Sequence, residues 1–174
     1  MYPGHFAAGL ALKVSEPKAS TLGIMIGVGF LDLVFAVGVG FGVEGGTLQH
    51  LITPWSHSLI MAAAWSIGYG LVFWRAGRRI AVVMGIAVFS HWLLDLVSHN
   101  PDMQLWPYSP VQLGYGPLFG GLGGWFELLV SVAGLAFYIA WARRPENRHR
   151  RWPVTLLMMA AMYVAEAVVV HPFR

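Results

Sequence analysis

The chain has no cysteine. That excludes a disulfide framework and any thiolate metal site. Charge is scarce too: Asp, Glu, Lys and Arg make up 11% of 174 residues, against about 25% in a soluble domain. A solvated globular surface cannot be built from so few charges, which excludes a soluble enzyme, a disordered chain and a nucleic-acid-binding domain. Internal repeats and low-complexity tracts are missing. The opening Met1-Tyr2-Pro3-Gly4-His5 lacks a basic region, and no small-residue cleavage site follows the first apolar run, so no cleavable signal peptide is expected.

What is present is apolar. The composition is 57% hydrophobic and the mean hydropathy is +0.62. Apolar segments cover about residues 20–43, 57–74, 79–98, 125–141 and 152–170, each of the length that crosses a bilayer. A shorter run, 6–12, cannot cross and reads as a half-span packed inside the bundle. The expected architecture is an all-α polytopic membrane bundle of about five transmembrane helices plus a short N-terminal half-helix. It forms one domain over residues 1–174.

Ten of the 11 Lys and Arg residues fall on one side of such a bundle: Lys13, Lys18, Arg75, Arg78, Arg79, Arg143, Arg144, Arg148, Arg150 and Arg151. The positive-inside rule makes that side cytoplasmic. The pI near 9.5 then reports orientation, and contact with anionic lipid accompanies it. The opposite side carries two longer loops, about 44–56 and 99–124, rich in Gly, Pro and aromatics, with Trp55, Trp106, Tyr108 and Trp125 at the interface. The glycines of the first span, Gly27, Gly29, Gly38, Gly40 and Gly42, read as close-packing positions between helices.

Ionisable side chains inside spans are costly and face a cavity or a partner. Asp32, His57, His91, Asp95, Glu127 and Glu166 lie between about 18 and 27 Å from the nearest basic anchor at 1.5 Å per helical residue. They come from every span yet share one layer, in the half of the membrane away from the basic linkers. Spacing i, i+4 puts His91 and Asp95 on one helix face, and His99 extends the stripe if the helix persists. Imidazole and carboxylate suit zinc where no thiolate is available. A lone His–Asp pair is more often a hydrogen-bonded structural pair; several His and two Asp at one depth favour a metal site. Glu127 and Glu166 also fit protonated carboxyls bonded to a neighbouring helix. Ser56, Ser58 and Ser90 flank candidate ligands and would orient them.

The segment Phe89-Ser90-His91-Trp92-Leu93-Leu94-Asp95-Leu96-Val97-Ser98, followed by Leu105-Trp106-Pro107, resembles the "SHLLLD…LWP" signature of a family of bacterial inner-membrane proteins described as metal-dependent hydrolases. Ser56-His57-Ser58-Leu59 resembles its "THSL" motif, and His5-Phe6-Ala7-Ala8-Gly9-Leu10 its "HLAFGL" start. One family member binds LexA, and no residue here carries that partner over. The ligand order is also similar to that of zinc-dependent phospholipase C and the P1/S1-type nucleases, all-α phosphoesterases with a zinc cluster. The resemblance implies His5, Asp32, His57, His91 and Asp95 as metal ligands, with Asp95 a bridge between two metals. His99 could supply a further ligand. The cofactor is then a divalent metal, zinc, as one or two ions. The catalytic residues are Asp95 and, if it reaches the pocket, Glu127 as base.

The expected function is hydrolysis of an ester or phosphoester in a lipid or lipid-linked substrate by a zinc-activated water, on the periplasmic side of the inner membrane. The partners are membrane lipid and that substrate. Three alternatives use the same residues: a metal transporter or sensor, a bis-His haem protein through His57 and His91, and a structural or partner-binding protein without hydrolase activity.

Overall fold

A computed structural model of the chain describes residues 3–47, 50–116 and 123–147, with the isolated positions Leu157 and Ala160. The segment 152–170 with Glu166, and the basic residues Arg148, Arg150 and Arg151, lie outside the described residues. The described chain is mostly helical: α1 (Pro3–Ser15), α2 (Thr21–Val28), α3 (Phe30–Gly40), α4 (Leu59–Val72), α5 (Arg78–Ser98) and α6 (Gly123–Ala142). Two short antiparallel ribbons join them: β1 (Gly45–Thr47) with β2 (His50–Ile52), and β3 (Met103–Gln104) with β4 (Gln112–Leu113). The loops expected at 44–56 and 99–124 are thus built around hairpins.

Local chemistry sets the element ends. Pro3 opens α1, where its missing N–H costs nothing. The Lys13 ammonium donates to the Pro17 and Ala19 carbonyls just past the helix. Ser20 caps α2, its hydroxyl accepting from the Gly23 N–H at 3.2 Å. Arg79 ties the start of α5 back to this corner, with Nε 3.1 Å from Glu16 and Nη2 donating to the Ser15 carbonyl.

The first apolar segment is not one straight span. It breaks at Gly29, and α2 and α3 meet at 53°. Asp32 therefore falls in the first turn of α3, where the helix dipole favours a carboxylate. Among the described residues a Cβ at Gly40 or Gly42 would meet nothing within 4 Å, unlike the expected close packing, and Gly42 serves a turn at φ +70°.

By length and composition, α5 is apolar and long enough to cross a membrane, and the bent pair α2–α3 qualifies if counted as one span. Helix α4 and the described part of α6, Leu129–Ala142, are apolar but shorter.

The buried side chains form two clusters. One contains Phe6, Leu10, Ile24, Met25, Met84 and Tyr138; the other contains Leu31, Ala62, Val88, Trp92 and Met103. Helices α4 and α5 approach through glycine: a Cβ on Gly70 would lie 2.8 Å from the Ala81 carbonyl oxygen, and one on Gly85 2.9 Å from that of Ser66. Backbone cannot yield as a flexible side chain does. Gly70→Val is therefore expected to lower stability by about 1–3 kcal/mol. Thermal unfolding in detergent checks this, and an unchanged midpoint would contradict the close approach.

Candidate metal centre

Four separate elements deliver polar side chains to one point. Helix α5 presents His91 and Asp95 one turn apart on its inner face. The start of α1 supplies His5, the first turn of α3 supplies Asp32, and the turn before α4 supplies His57. His5, His57, His91 and Asp95 are buried, whereas the Asp32 side chain is 29% exposed.

Asp95 sits between two groups of imidazoles. Its Oδ1 lies 3.0 Å from His5 Nε2 and 3.6 Å from His99 Nε2. Its Oδ2 lies 3.0 Å from His91 Nε2 and 3.5 Å from His57 Nε2. Asp32 Oδ1 is 3.3 Å from His57 Nε2 and 3.6 Å from His91 Nε2. The ring centroids of His5 and His91 are 4.4 Å apart, and those of His57 and His91 5.4 Å.

The far side of each ring decides which nitrogen is available. His91 Nδ1 lies 2.7 Å from the Val28 carbonyl oxygen at the α2–α3 break. A carbonyl only accepts, so Nδ1 carries the hydrogen and a neutral ring presents a lone pair at Nε2. His57 Nδ1 is 2.7 Å from the Ser56 hydroxyl, which can donate or accept, so this contact fixes the ring's orientation with Nε2 toward the carboxylates. The Nε2 lone pair of His91 then faces carboxylate oxygens, an arrangement that repels unless positive charge lies between them. Although 3.0 Å from Asp95, His91 Nε2 is out of line for a hydrogen bond. It and Asp32 Oδ2 are buried without a hydrogen-bond partner among the described residues.

A metal ion fits this donor set. Tetrahedral zinc with ligands at about 2.0 Å holds its ligand atoms about 3.3 Å from one another, and the separations above run from 3.0 to 3.6 Å. Two sets of three have their ligand atoms within 4.8 Å of one another: His5, His91 and Asp95, and Asp32, His57 and His91. His91 belongs to both. Outer hydrogen bonds of the kind made by Val28 and Ser56 fix the rings of metal-bound histidines.

Five of the expected ligands thus converge: His5, Asp32, His57, His91 and Asp95. His99 stands at the edge. The α5 helix ends at Ser98 and His99 is its extended cap, yet its ring still reaches back to Asp95. The other nitrogen, Nδ1, lies 3.5 Å from Asp102. Burial opposes the charged form of His99, but Asp102 and Asp95 outweigh it and its pKa is raised. Glu127 falls on α6, but its side chain lies outside what the structure describes.

Some details differ from expectation. Ser56 does orient a candidate ligand, but Ser58 donates to the Pro54 carbonyl and Ser90 to that of Ala87. Trp92, which carried no role in the sequence reading, is buried, and its indole N–H donates to the His57 carbonyl at 2.8 Å. The Val28 carbonyl gave no sign in the sequence beyond the glycines on either side of it. Trp92→Phe keeps the ring and removes the donor, so a stability loss of about 1 kcal/mol is expected. Denaturation of the purified protein measures it; a variant as stable as wild type would show that the bond contributes nothing.

Comparison with curated proteins and with solved structures finds no significant match. Comparison with family models matches residues 4–172 to the YdjM inner membrane protein family. That match covers nearly the whole sequence, including every residue of the centre: the chain belongs to the YdjM inner membrane protein family.

Proposed function

We propose that this chain is a membrane-embedded, metal-dependent hydrolase acting on an ester or phosphoester of a lipid or lipid-linked substrate. One observation carries the reading: three buried histidines and two aspartates from four elements of an inner membrane protein meet at metal-ligand separations. The order of these residues is similar to that in zinc-dependent phospholipase C and P1-type nucleases, which supports phosphoester chemistry. In this reading the chain spans the membrane about five times, with its basic linkers cytoplasmic and the centre toward the periplasm.

Asp32, His57 and His91 form one set that would hold a divalent ion, and His5, His91 and Asp95 form the other. A divalent ion bound there supplies a water of pKa about 7 and an electrophile for the ester oxygen. Asp32 and Asp95 offset the cation charge in a low-dielectric setting. The Val28 carbonyl keeps the His91 Nε2 lone pair turned inward, and the Ser56 hydroxyl holds the His57 ring with Nε2 inward. Glu127 is the candidate proton acceptor from α6. Trp55, Trp106 and Tyr108, each more than 40% exposed, form a rim suited to the membrane interface. A conduction path fits less well, because Leu10, Ile24, Met25, Val28 and Met84 fill the core without exposure.

The test is hydrolysis of phospholipid vesicles by the zinc-loaded protein, with products identified by mass spectrometry. Turnover that chelator and His91→Ala both abolish is expected. No chelator-sensitive turnover would leave a metal-binding protein without hydrolase activity.

A further inference from the structure

We infer that Glu44, which lies outside the ligand set, is a positioning residue for His57, and that Gly38 exists to make room for it; this rests on the metal-centre reading above. Glu44 immediately precedes β1, and Trp55 and Ser56 follow β2. Its buried carboxylate spans the base of that hairpin: Oε1 accepts the backbone N–H of Trp55 and that of Ser56, each at 2.7 Å. Ser56 is the residue whose hydroxyl lies 2.7 Å from His57 Nδ1. One carboxylate oxygen thereby fixes the backbone that presents the Ser56 hydroxyl, and that hydroxyl selects which His57 nitrogen turns to Asp32 and Asp95.

The rest of the turn is held separately. The His57 N–H donates to the Thr53 carbonyl, Ser58 to that of Pro54, and Trp65 to that of Trp55. These bonds keep the turn folded without Glu44 but do not set the Ser56 hydroxyl. The carboxylate also has a made-to-measure seat. The Val43 and Glu44 N–H groups both donate to the Gly38 carbonyl. A Cβ at Gly38 would lie 2.8 Å from Glu44 Oε2 and 2.9 Å from its Cγ. Glu44 Oε2 is buried with no hydrogen-bond partner among the described residues. Among the described residues no salt bridge accounts for a carboxylate at this place, and its hydrogen bonds go to the backbone N–H groups of Trp55 and Ser56.

The experiment measures zinc affinity of the full-length protein in detergent by competition with a chelating dye. Glu44→Ala is expected to weaken zinc about tenfold or more, the usual cost of losing an outer partner of a metal-bound histidine. Glu44→Gln keeps an acceptor oxygen for both N–H groups and is expected to rescue most of the affinity. Gly38→Ala keeps the carboxylate but displaces it, and should weaken zinc as Glu44→Ala does. Added to His57→Ala, Glu44→Ala should cost nothing further. Wild-type affinity in Glu44→Ala, or a full additional loss in the double variant, would overturn the inference. Nitrogen-15 spectra of the metal-free protein supply an independent reading: in wild type His57 should hold its hydrogen on Nε2, which faces the carboxylates, and accept the Ser56 hydroxyl at Nδ1, and the Nδ1 signal should shift toward that of a free acceptor nitrogen in Glu44→Ala. Zinc binding absent from wild type itself would sink the metal centre, while an unchanged His57 Nδ1 signal in Glu44→Ala would sink the positioning role alone.

Discussion

His91→Ala is expected to leave the purified protein without bound divalent metal. His91 is the residue common to both ligand triplets, so its removal leaves each with two ligands. Zinc sites need at least three protein donors. His57→Ala, by contrast, breaks only the Asp32 triplet and should leave the metal shared by His5, His91 and Asp95. The comparison separates loss of ligands from general damage, since both variants remove one buried imidazole. His91→Ala also strands the Val28 carbonyl at the α2–α3 break, a cost of about 1–3 kcal/mol. Circular dichroism should still show a helical protein. Elemental analysis measures metal per chain, and a His91→Ala protein carrying as much as wild type would refute the assignment.

Gly134→Val is expected to pull His5 out of the centre from a distance. A Cβ at Gly134 would lie 2.7 Å from that of Ala7 and 2.8 Å from the Ala7 carbonyl oxygen. The contact is with backbone, so helix α1 as a whole must move away from α6. His5 lies two residues before Ala7, and its Nε2 reaches Asp95 at 3.0 Å. A shift of even one ångström is a large fraction of a metal–ligand bond. The variant should lose about 1–3 kcal/mol of stability and the metal held on the His5 side, while the ion on Asp32 and His57 stays. Gly134→Ala combined with Ala7→Gly removes one of the two clashing methyls and should recover part of both. Calorimetry and metal analysis of the three proteins check this. A Gly134→Val protein with full metal content would show that α1 is not held by α6.

The residues that converge in the candidate centre were legible because their chemistry is conspicuous in an apolar chain. Asp32, His91 and Asp95 stand out from hydrophobic surroundings, and i, i+4 spacing fixes how two of them face. Helical character was legible for the same reason. What the sequence could not show was carried by the backbone. At the bend at Gly29 the Val28 carbonyl is met by His91 from 63 residues away, and the apolar residues on either side of the bend do not announce it. The ribbons at 45–52 and 103–113 are too short to leave an alternating pattern. Trp92 reads as one more apolar residue, yet its N–H holds His57. Glu44 reads as a loop residue because its partners are backbone N–H groups, which have no side-chain signature.

X-ray absorption at the zinc edge on the purified, detergent-solubilised protein tests the central claim most directly. The account predicts bound zinc with nitrogen and oxygen neighbours at about 2.0 Å, and with the outer-shell scattering of at least two imidazoles. Protein isolated from zinc-replete cells without the metal, or zinc surrounded by water oxygens with no imidazole signal, would contradict it.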